Sequence, residues 1–358
     1  MRFHAPYMEW AKKRPSPRFD LAGSNVSTCS IDDLDGARDA LALSGHNDNG
    51  YEPLVAAIAS RYKVTPGQVA TANGAAGANF QVCAALVEPG DDVMVERPGY
   101  DPLLGAPRLL GANIIRFDRR FEDGFALDPD RVAGAMTART RLIVISRPQN
   151  PTGAPADRSA LAEIGRAARS AGAHVLVDEV YLDATAEGVE PAALIDDVFV
   201  STSSLTKSYG LSGLRCGWSL SSPDLAERIR RARDVIDGNG SIVAERLATL
   251  AFAQLDRLAG RAAALLSANT ALAREFFAAR PELEVVLPQR GTVAFPRIRG
   301  VADTSVFAER LMTERETAIV PGRFFEAPAH FRLGFGGPTE IVREGLARVV
   351  AALDAQDW

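Results

Sequence analysis

Residues 204–218 combine a single lysine, Lys207, with small hydroxyl side chains and several glycines. The segment follows an apolar run that is predicted to be a strand of a parallel sheet, and ligands bind at the carboxyl edge of such sheets. An ε-amine in a crevice there can act as a Schiff-base nucleophile once its pKa is lowered. Arg215 adds a rigid guanidinium fork that suits a phosphate, and Ser204 adds a hydrogen bond. The alternative for Lys207 is a solvated side chain in a surface loop.

Three further segments carry polar side chains at the end of a strand or in a turn. Asp178 closes the apolar run at 174–178, Asn150 opens an Asn-Pro-Thr-Gly sequence, and Arg332 lies in a short apolar run near the C-terminus. Each also has an ordinary interpretation: a solvated strand end for Asp178, a plain turn for residues 150–153 and a surface cation for Arg332. A guanidinium is nevertheless the group best suited to grip a carboxylate through two parallel N–H donors.

The sequence Gly-Ala-Ala-Gly at 74–77 precedes a helix that is predicted to begin at about Asn79. A glycine-containing loop that enters a helix offers free backbone N–H groups and the positive end of the helix dipole to a phosphate. A dinucleotide site is the competing interpretation, with Glu96 ending the next strand about twenty residues later. That interpretation is weak, because the first two glycines of G-x-G-x-x-G are not in register and Lys207 and Asp178 stay unexplained.

Strands alternate with helices in the first two thirds of the chain. Helices are predicted at 53–62, 79–87 and 159–171 from their apolar spacing. Short runs rich in β-branched residues predict strands at 93–95, 113–117, 142–146, 175–178 and 198–201. This alternation is typical of a mostly parallel sheet that is covered by helices on both faces.

The character of the sequence changes after Leu220. Long Ala-, Arg- and Leu-rich stretches predict helices, and short strands alternate with helices nearer the C-terminus. The predicted elements are helices at 224–237, 243–280, 305–312 and 340–353, and strands at 283–287, 292–296 and 331–335. We therefore expect an α/β fold with a large domain at 45–240, and a smaller α+β domain formed by 1–44 and 241–358.

Composition excludes several classes of protein. The chain has 358 residues, of which 47% are hydrophobic, and 40 Lys and Arg against 45 Asp and Glu give a net charge of −5. This balance argues against a protein that binds nucleic acid through phosphate neutralisation. The sequence contains no run of 18 or more apolar residues, the length that indicates a membrane-spanning helix. Three cysteines and four scattered histidines predict neither a disulfide framework nor a metal site. We expect a cytoplasmic protein.

The motifs together resemble those of the class I/II pyridoxal-phosphate aminotransferases, the fold type I enzymes. The similarity extends over nearly the whole chain and follows the order of the family. It rests on residues 74–76, 98–100, 150–153, 178–181, 204–218 and 331–333. The resemblance implies that pyridoxal 5'-phosphate (PLP) is the cofactor. It also implies that an amino group moves from an amino acid to a 2-oxo acid through a Schiff base on Lys207.

The resemblance also implies roles for individual residues around the cofactor ring. Lys207, Asp178 and Tyr181 correspond to the catalytic residues of the family. Asp178 would face the pyridine nitrogen and keep it protonated, so that the ring can accept electrons. Tyr181 would contact the phenolic oxygen together with Asn150, and Tyr100 would stack on the face of the ring.

A second group of residues would hold the phosphate and the substrate. By the same resemblance, Arg332 would bind the substrate α-carboxylate, with Gly23 and Asn150 beside the substrate. The phosphate contacts would come from Ser204, Arg215, Ala75 and Ala76. Relatives often place a hydroxyl where the chain has these two alanines, so backbone amides would contribute more here.

Members of this family form homodimers in which each subunit lends residues to the phosphate pocket of the other. Residues 45–51 occupy the position of the lending segment. The family places a tyrosine before the glycine of this segment, whereas here Tyr51 follows Gly50. Tyr51, His46 and Asn47 are the candidates for that contact. We expect a homodimer.

Two other functions stay open at this point. The first keeps the cofactor but changes the reaction to that of a lyase, a decarboxylase or an oxidative enzyme, because fold does not determine function. The second is a non-catalytic module that binds a ligand. The side chain of the substrate is not predicted either, although Arg323 and Arg18 lie within plausible reach of a distal carboxylate.

Overall fold

The centre of the fold is a seven-stranded sheet. The computed structural model describes residues 4–185, 189–356 and 358. The strands of the sheet are β2 (Val69–Asn73), β3 (Asp92–Arg97), β4 (Asn113–Asp118), β5 (Thr140–Ser146), β6 (His174–Asp178), β7 (Phe199–Ser204) and β8 (Cys216–Leu220). Their order is β2-β8-β7-β6-β5-β3-β4, and β8 runs antiparallel to both of its neighbours. The strands from β7 to β4 are parallel, so their carboxyl ends lie at one edge.

Helices cover both faces of this sheet. They are α2 (Glu52–Tyr62), α3 (Gly74–Leu86), α4 (Asp101–Leu109), α5 (Pro129–Ala135), α6 (Arg158–Ser170), α7 (Leu182–Thr185), α8 (Pro223–Ile236) and α9 (Ile242–Phe252). Successive side chains of a strand point to opposite faces. Ile143 and Ile145 of β5 accordingly pack in the cluster that contains α6, whereas Leu142 and Val144 pack with α3, α4 and α8.

The five strands predicted between residues 93 and 201 are all present, but β2 and β8 were not predicted. Both are rich in small or polar residues, which weaken the β-branched signal. Position 217 in β8 requires glycine, because a Cβ there would overlap the backbone of Gly74 at the start of α3.

The expected loop at 74–77 is instead the first turn of a helix. Strand β2 leads directly into α3, and Gly74 makes the junction with a φ of +69°. This backbone conformation favours glycine.

The rest of the chain forms a second assembly of helices and short strands. Its helices are α1 (Pro6–Lys13), α10 (Leu255–Ala278), α11 (Ser305–Arg315) and α12 (Thr339–Asp354). Its strands are β1 (Phe19–Asp20), β9 (Leu283–Glu284), β10 (Val293–Ala294), β11 (Arg297–Ile298), β12 (Thr317–Ala318), β13 (Val320–Pro321) and β14 (Phe331–Gly334). One apolar cluster joins α10, α11, α12 and Leu21, and β14 pairs with both β10 and β13.

The single helix expected at 243–280 is two helices. The break between α9 and α10 falls at Ala253 and Gln254, and the Gln254 amide exchanges hydrogen bonds with the backbone of Asp35. Leu34 and helix α9 share an apolar cluster with α2 and β8.

The domain boundaries at 44/45 and 240/241 stay a prediction, and residues 1–3, 186–188 and 357 lie outside the described part. In that part no helix is both long and apolar enough to cross a membrane.

Candidate active site

The candidate site lies at the edge of the sheet formed by the carboxyl ends of the parallel strands. Asp178 ends β6, Ser204 ends β7 and Asn150 lies in the loop after β5. All three side chains are buried. Lys207 follows β7 in the next turn, so its amine projects into the same region. Parallel pairing of β5, β6 and β7 therefore brings together residues that lie far apart in the sequence.

Lys207 has an amine that is tuned by its surroundings. Its Nζ donates to Asn25 Oδ1 at 2.7 Å and to Ser24 Oγ at 3.1 Å. Burial of the amine lowers its pKa to about 8, and the positive charges of Arg332 and Arg215 add to this effect. A lysine with this pKa carries a substantial neutral fraction at mildly alkaline pH, which is the nucleophilic form.

Asp178 is held in the site by a chain of buried hydrogen bonds. Asn79 Nδ2 donates to one carboxylate oxygen at 2.8 Å, and the Val180 N–H donates to the other at 3.2 Å. The hydroxyl of Thr202 donates in turn to Asn79 Oδ1 at 2.5 Å. Burial raises the pKa of Asp178 despite these donors. A fully buried carboxylate in this state is best satisfied by a cationic partner.

Tyr181 lies beside Lys207. Its hydroxyl donates to Ser24 Oγ at 3.0 Å, and the Lys207 amine lies 5.8 Å from the centre of its ring. Ser24 therefore joins the tyrosine to the lysine. Sequence reasoning selected Gly23 but missed Ser24 and Asn25. The polar pair directly after that glycine was the signal that could have identified them.

An anion-binding cradle forms where α3 begins. The Asn73 side chain does not cap this helix, so the N–H groups of its first turn, including those of Ala75 and Ala76, have no side-chain acceptor from the N-cap residue. The Arg215 guanidinium packs so closely on Gly74 that a Cβ there would overlap it. Free N–H groups, the helix dipole and a guanidinium together suit a phosphate.

Arg332 is completely buried at the other side of the site. Its Nη1 donates to Asn150 Oδ1 at 2.8 Å, and its Nη2 donates to the Tyr7 hydroxyl at 2.7 Å and to the Ala22 carbonyl at 2.8 Å. Among the described residues its Nε has no hydrogen-bond partner. An unpaired N–H in this position is available to a carboxylate. Tyr7 was not predicted from the sequence.

Tyr100 occupies the position directly before α4 and borders the same region. Its ring meets the ring of Tyr7 edge-on, with centroids 5.8 Å apart, and its hydroxyl contacts the Met8 sulfur at 3.4 Å. The structure does not bring the two candidate distal arginines into this site. Arg18 is exposed and lies 3.9 Å from Glu316, and Arg323 lies over Phe324 beside a different cavity.

A buried ion pair supports the loop that carries Asn150. Glu96 of β3 accepts hydrogen bonds from the Ser146 N–H at 2.7 Å and from the Ser146 hydroxyl at 2.5 Å. The other carboxylate oxygen of Glu96 pairs with Arg119 at 3.1 Å, and both side chains are at most 1% exposed. Ser146 Oγ then accepts from the Asn150 N–H at 3.1 Å. A chain of hydrogen bonds through Ser146 and Asn150 therefore connects Glu96 to Arg332.

Comparisons with known proteins agree with this geometry. The family model for "Aminotransferase class I and II" matches residues 31–349. The chain belongs to the class I and II aminotransferase family. Among its relatives is capreomycidine synthase of Streptomyces vinaceus, which is 32% identical over 96% of this chain and 92% of its own. Another is an aspartate aminotransferase of Streptomyces avermitilis, 28% identical over 86% of this chain and 81% of its own.

The fold of the chain is that of solved members of the same family. A PLP-dependent aminotransferase from Streptococcus suis superimposes with a TM-score of 0.94 at 27% identity, covering 100% of this chain and 99% of its own. The protein is thus a PLP-dependent fold type I enzyme of the aminotransferase family.

The residues present fit PLP. The cradle at α3 suits its phosphate, the buried Asp178 suits a protonated ring nitrogen, and the Lys207 amine suits its aldehyde. The described residues contain no group of three or more His, Cys, Asp or Glu side chains that could hold a metal ion.

We predict that Glu96→Gln weakens substrate binding more than it slows turnover. The amide loses one acceptor for Ser146 or Arg119, so the Asn150 loop and Arg332 shift from their positions. We expect the KM for the amino acid to rise about tenfold, the value of one hydrogen bond. Stability should fall by about 3–5 kcal/mol, because a buried ion pair is broken. Steady-state kinetics and denaturant unfolding measure both quantities.

Asp92→Asn is the matched control. Asp92 begins the same strand, β3, and its buried carboxylate pairs with Arg139 at 3.3 Å at the opposite edge of the sheet. This variant should lose stability without a change in KM. If the KM of Glu96→Gln equals that of Asp92→Asn, Glu96 supports only the fold.

Proposed function

We propose that the protein transfers the amino group of an α-amino acid to a 2-oxo acid, with PLP held covalently by Lys207. The observation that carries the proposal is the Lys207 amine, which lies between the anion cradle, Asp178 and Arg332, with a pKa lowered by burial to about 8. When bound, PLP supplies an aromatic ring that accepts electrons from the substrate.

Side chains of the protein bind the substrate, transfer its proton and keep the ring nitrogen protonated. Arg332 and Asn150 hold the substrate α-carboxylate, and this contact places the α-carbon near Lys207. The Lys207 Nζ accepts the proton of that α-carbon and later returns a proton. Asp178 keeps the ring nitrogen protonated, because the Asn79 and Val180 donors favour the ionised carboxylate.

The other contacts orient the cofactor. Tyr181 places its hydroxyl near the phenolic oxygen, and Tyr100 covers one face of the ring. Ser204, Arg215 and the first turn of α3 bind the phosphate. In this proposal the assembly of 1–44 and 241–358 closes over the substrate, because Tyr7 and Arg332 both belong to it.

A second candidate function is a different PLP reaction at the same site, that of a lyase, a decarboxylase or an oxidative enzyme. The observation in its favour is that a relative covering 96% of the chain is called a synthase and not an aminotransferase. Fold alone does not separate the two candidates.

A half-reaction distinguishes them. The purified holoenzyme is mixed with single amino acids without an acceptor, and the cofactor absorbance and the products are followed. Conversion to the pyridoxamine form with one equivalent of 2-oxo acid is the result that we expect. Release of carbon dioxide, ammonia or a thiol instead would select the second candidate.

Lys207→Ala is the variant that tests the assigned base in the same assay. We expect loss of turnover, because proton transfer of this kind contributes about 10²–10⁴-fold and the covalent anchor is also lost. Some cofactor should stay bound through Ser204, Arg215 and the α3 cradle. Transamination at the wild-type rate by this variant would remove Lys207 from the mechanism.

We also propose that the enzyme is a homodimer with shared active sites. Leu43 is 92% and Val235 is 90% exposed, and Leu41 and Ile236 are also exposed. Asn49 Oδ1 accepts from Arg231 of α8, which places residues 45–51 beside the end of that helix. Exposed apolar side chains of this extent favour contact with a second copy.

The lending residue is His46 or Tyr51 in this proposal. Asn47 is buried, and its amide donates to the Gly240 carbonyl and to Glu245 of its own chain. His46 is exposed, and Tyr51 is half-buried with Arg246 over its ring at 5.6 Å.

Subunit mixing tests the shared site. Lys207→Ala dimers should be impaired, and so should dimers in which both His46 and Tyr51 are replaced by alanine, since every site then lacks one of its groups. A mixed dimer should regain one complete site and part of the activity. A fully active monomer in sedimentation, or no recovery after verified exchange between two impaired parents, would contradict the shared site but not the Lys207 chemistry.

The cytoplasmic location expected from the sequence is part of the same proposal. Cys29, Cys83 and Cys216 are all free thiols. Unpaired cysteines are usual in reducing compartments.

A further inference from the structure

A buried carboxylate outside the site described above, that of Glu245 in helix α9, anchors residues 45–51. Its Oε2 accepts from the Tyr51 N–H at 2.9 Å and from Asn47 Nδ2 at 3.0 Å. The Asn47 amide also donates to the Gly240 carbonyl at 2.8 Å. One carboxylate oxygen thus holds two positions of the segment with which, in the proposed homodimer, each subunit reaches the second copy.

The second oxygen of Glu245 connects the segment to strand β2. Thr71 Oγ1 donates to Glu245 Oε1 at 3.3 Å, and Arg233 Nη1 donates to Thr71 Oγ1 at 2.8 Å. Arg233 Nη2 lies 3.9 Å from Glu245 Oε1, so the buried carboxylate faces a positive charge. A Cβ at Gly50 would lie 2.6 Å from Thr71 Oγ1, so the backbone of the segment packs directly on Thr71. Glu245, Arg233, Thr71 and Asn47 form one buried network.

The anchored segment is otherwise open to solvent. Residues 43–46, 48 and 49 are exposed, whereas Asn47 is buried. The exposed His46 directly precedes Asn47, and Glu245 binds the backbone of Tyr51 itself. The network therefore holds the backbone at or beside both candidate lending side chains. Ordering a loop in advance reduces the entropy that is lost on contact, and this preorganisation raises affinity.

The network and the anion-binding cradle border one cavity. This cavity of about 300 Å³ is lined by Glu245, Thr71 and Gly240, and also by Asn73 and Arg215 at the cradle. The anchor of the segment and the cradle therefore lie around the same space. In a two-fold dimer the same patch of both subunits forms the contact. A contact through this patch brings the segment of each subunit to the cradle of the other.

We propose that Glu245 is a positioning residue for cofactor binding, which fixes residues 45–51 so that His46 or Tyr51 reaches the phosphate pocket of the second copy. This inference rests on the proposed homodimer with shared active sites. Glu245 touches neither cofactor nor substrate in this role, and its effect passes through the segment. Without its carboxylate, Asn47 and Tyr51 lose their shared acceptor and the segment is released.

The first test titrates the apoenzyme with PLP and follows the Schiff-base absorbance. Glu245→Ala removes the acceptor of the segment, so the dissociation constant for PLP should rise about tenfold, the value of one charge-assisted hydrogen bond to the phosphate. Glu245→Gln keeps an oxygen for Asn47 and Tyr51, so its PLP affinity should stay close to that of the wild type. Asn47→Ala removes the contact from the other side and should also weaken PLP binding, even if Glu245→Ala does not fold.

Asp92→Asn is the matched control for a loss of stability. It also removes a buried carboxylate charge that faces an arginine, Arg139, but it does so in strand β3, near the other end of the strand order from β2. This variant should lose stability and keep the PLP affinity of the wild type. Weaker PLP binding in Glu245→Ala is then not a consequence of instability alone.

Mixed dimers show in which subunit Glu245 acts. A Lys207→Ala subunit forms no Schiff base, so the absorbance reports only on the site of the other subunit. If Glu245→Ala is placed in the Lys207→Ala subunit, the working site receives the altered segment and should bind PLP more weakly. If Glu245→Ala is placed in the working subunit, the site of that subunit receives an intact segment and should keep the wild-type affinity.

Several results would overturn the inference. Wild-type PLP affinity in Glu245→Ala, or in Asn47→Ala if the first variant does not fold, would show that the segment needs no anchor. Equal weakening in Glu245→Ala and Glu245→Gln would assign the effect to the charge that faces Arg233. Weaker binding in the working subunit that itself carries Glu245→Ala would place the effect within one chain, through Thr71, and leave the shared site standing. A wild-type monomer in sedimentation would refute the homodimer together with this inference, but not the Lys207 chemistry.

Discussion

The burial of opposite charges at one edge of a sheet governs this structure. Burial pushes the Lys207 amine and the Asp178 carboxylate toward their neutral forms, because it lowers the pKa of the first and raises that of the second. Among the described residues, the hydrogen-bond partners of both groups are neutral: Ser24 and Asn25 for Lys207, and Asn79 and Val180 for Asp178. PLP would add an aldehyde for the amine and a protonated ring nitrogen for the carboxylate, and Arg215 and the start of α3 would hold its phosphate. The charge pattern of the protein is complementary to that of the cofactor.

The fold places these charges by two features of the sheet. Parallel pairing aligns the ends of β5, β6 and β7, which fixes Asn150, Asp178 and Ser204 along one edge. Antiparallel pairing of β8 with β2 and β7 then returns the chain past the start of α3, where Gly217 allows the two backbones to touch. Arg215 directly precedes this contact, so the position of its guanidinium against Gly74 depends on it. The second assembly adds Arg332 and Tyr7 and closes the site from the other side.

Sequence reasoning placed a residue at the end of a strand where the signal was local. Lys207 and Asp178 follow apolar strands, and their position at strand ends is readable from a few neighbouring residues. Ser24 and Asn79 were missed because their roles arise only from contacts that span 183 residues, to Lys207, and 99 residues, to Asp178. Glu96 was considered only as part of a dinucleotide site, whereas its buried pairing with Arg119 appears only in the folded chain.

The same distinction applies to the secondary structure. Strands rich in β-branched residues were predicted, but β2 and β8 carry small residues because α3 packs tightly against them. At the division of the helix, Gln254 hydrogen-bonds to the backbone of Asp35, more than two hundred residues away in the chain. The preference of a residue for a helix or a strand does not reflect such long-range contacts.

The central claim, that Lys207 carries the cofactor, has one direct measurement. The chain contains four lysines, of which Lys12, Lys13 and Lys63 are exposed. Borohydride reduction of the holoenzyme fixes the Schiff base, and mass spectrometry of the peptides locates the pyridoxyl group. The account predicts that the group is found on the Lys207 peptide alone. A pyridoxyl group on any of the three exposed lysines, with Lys207 unmodified, would contradict it.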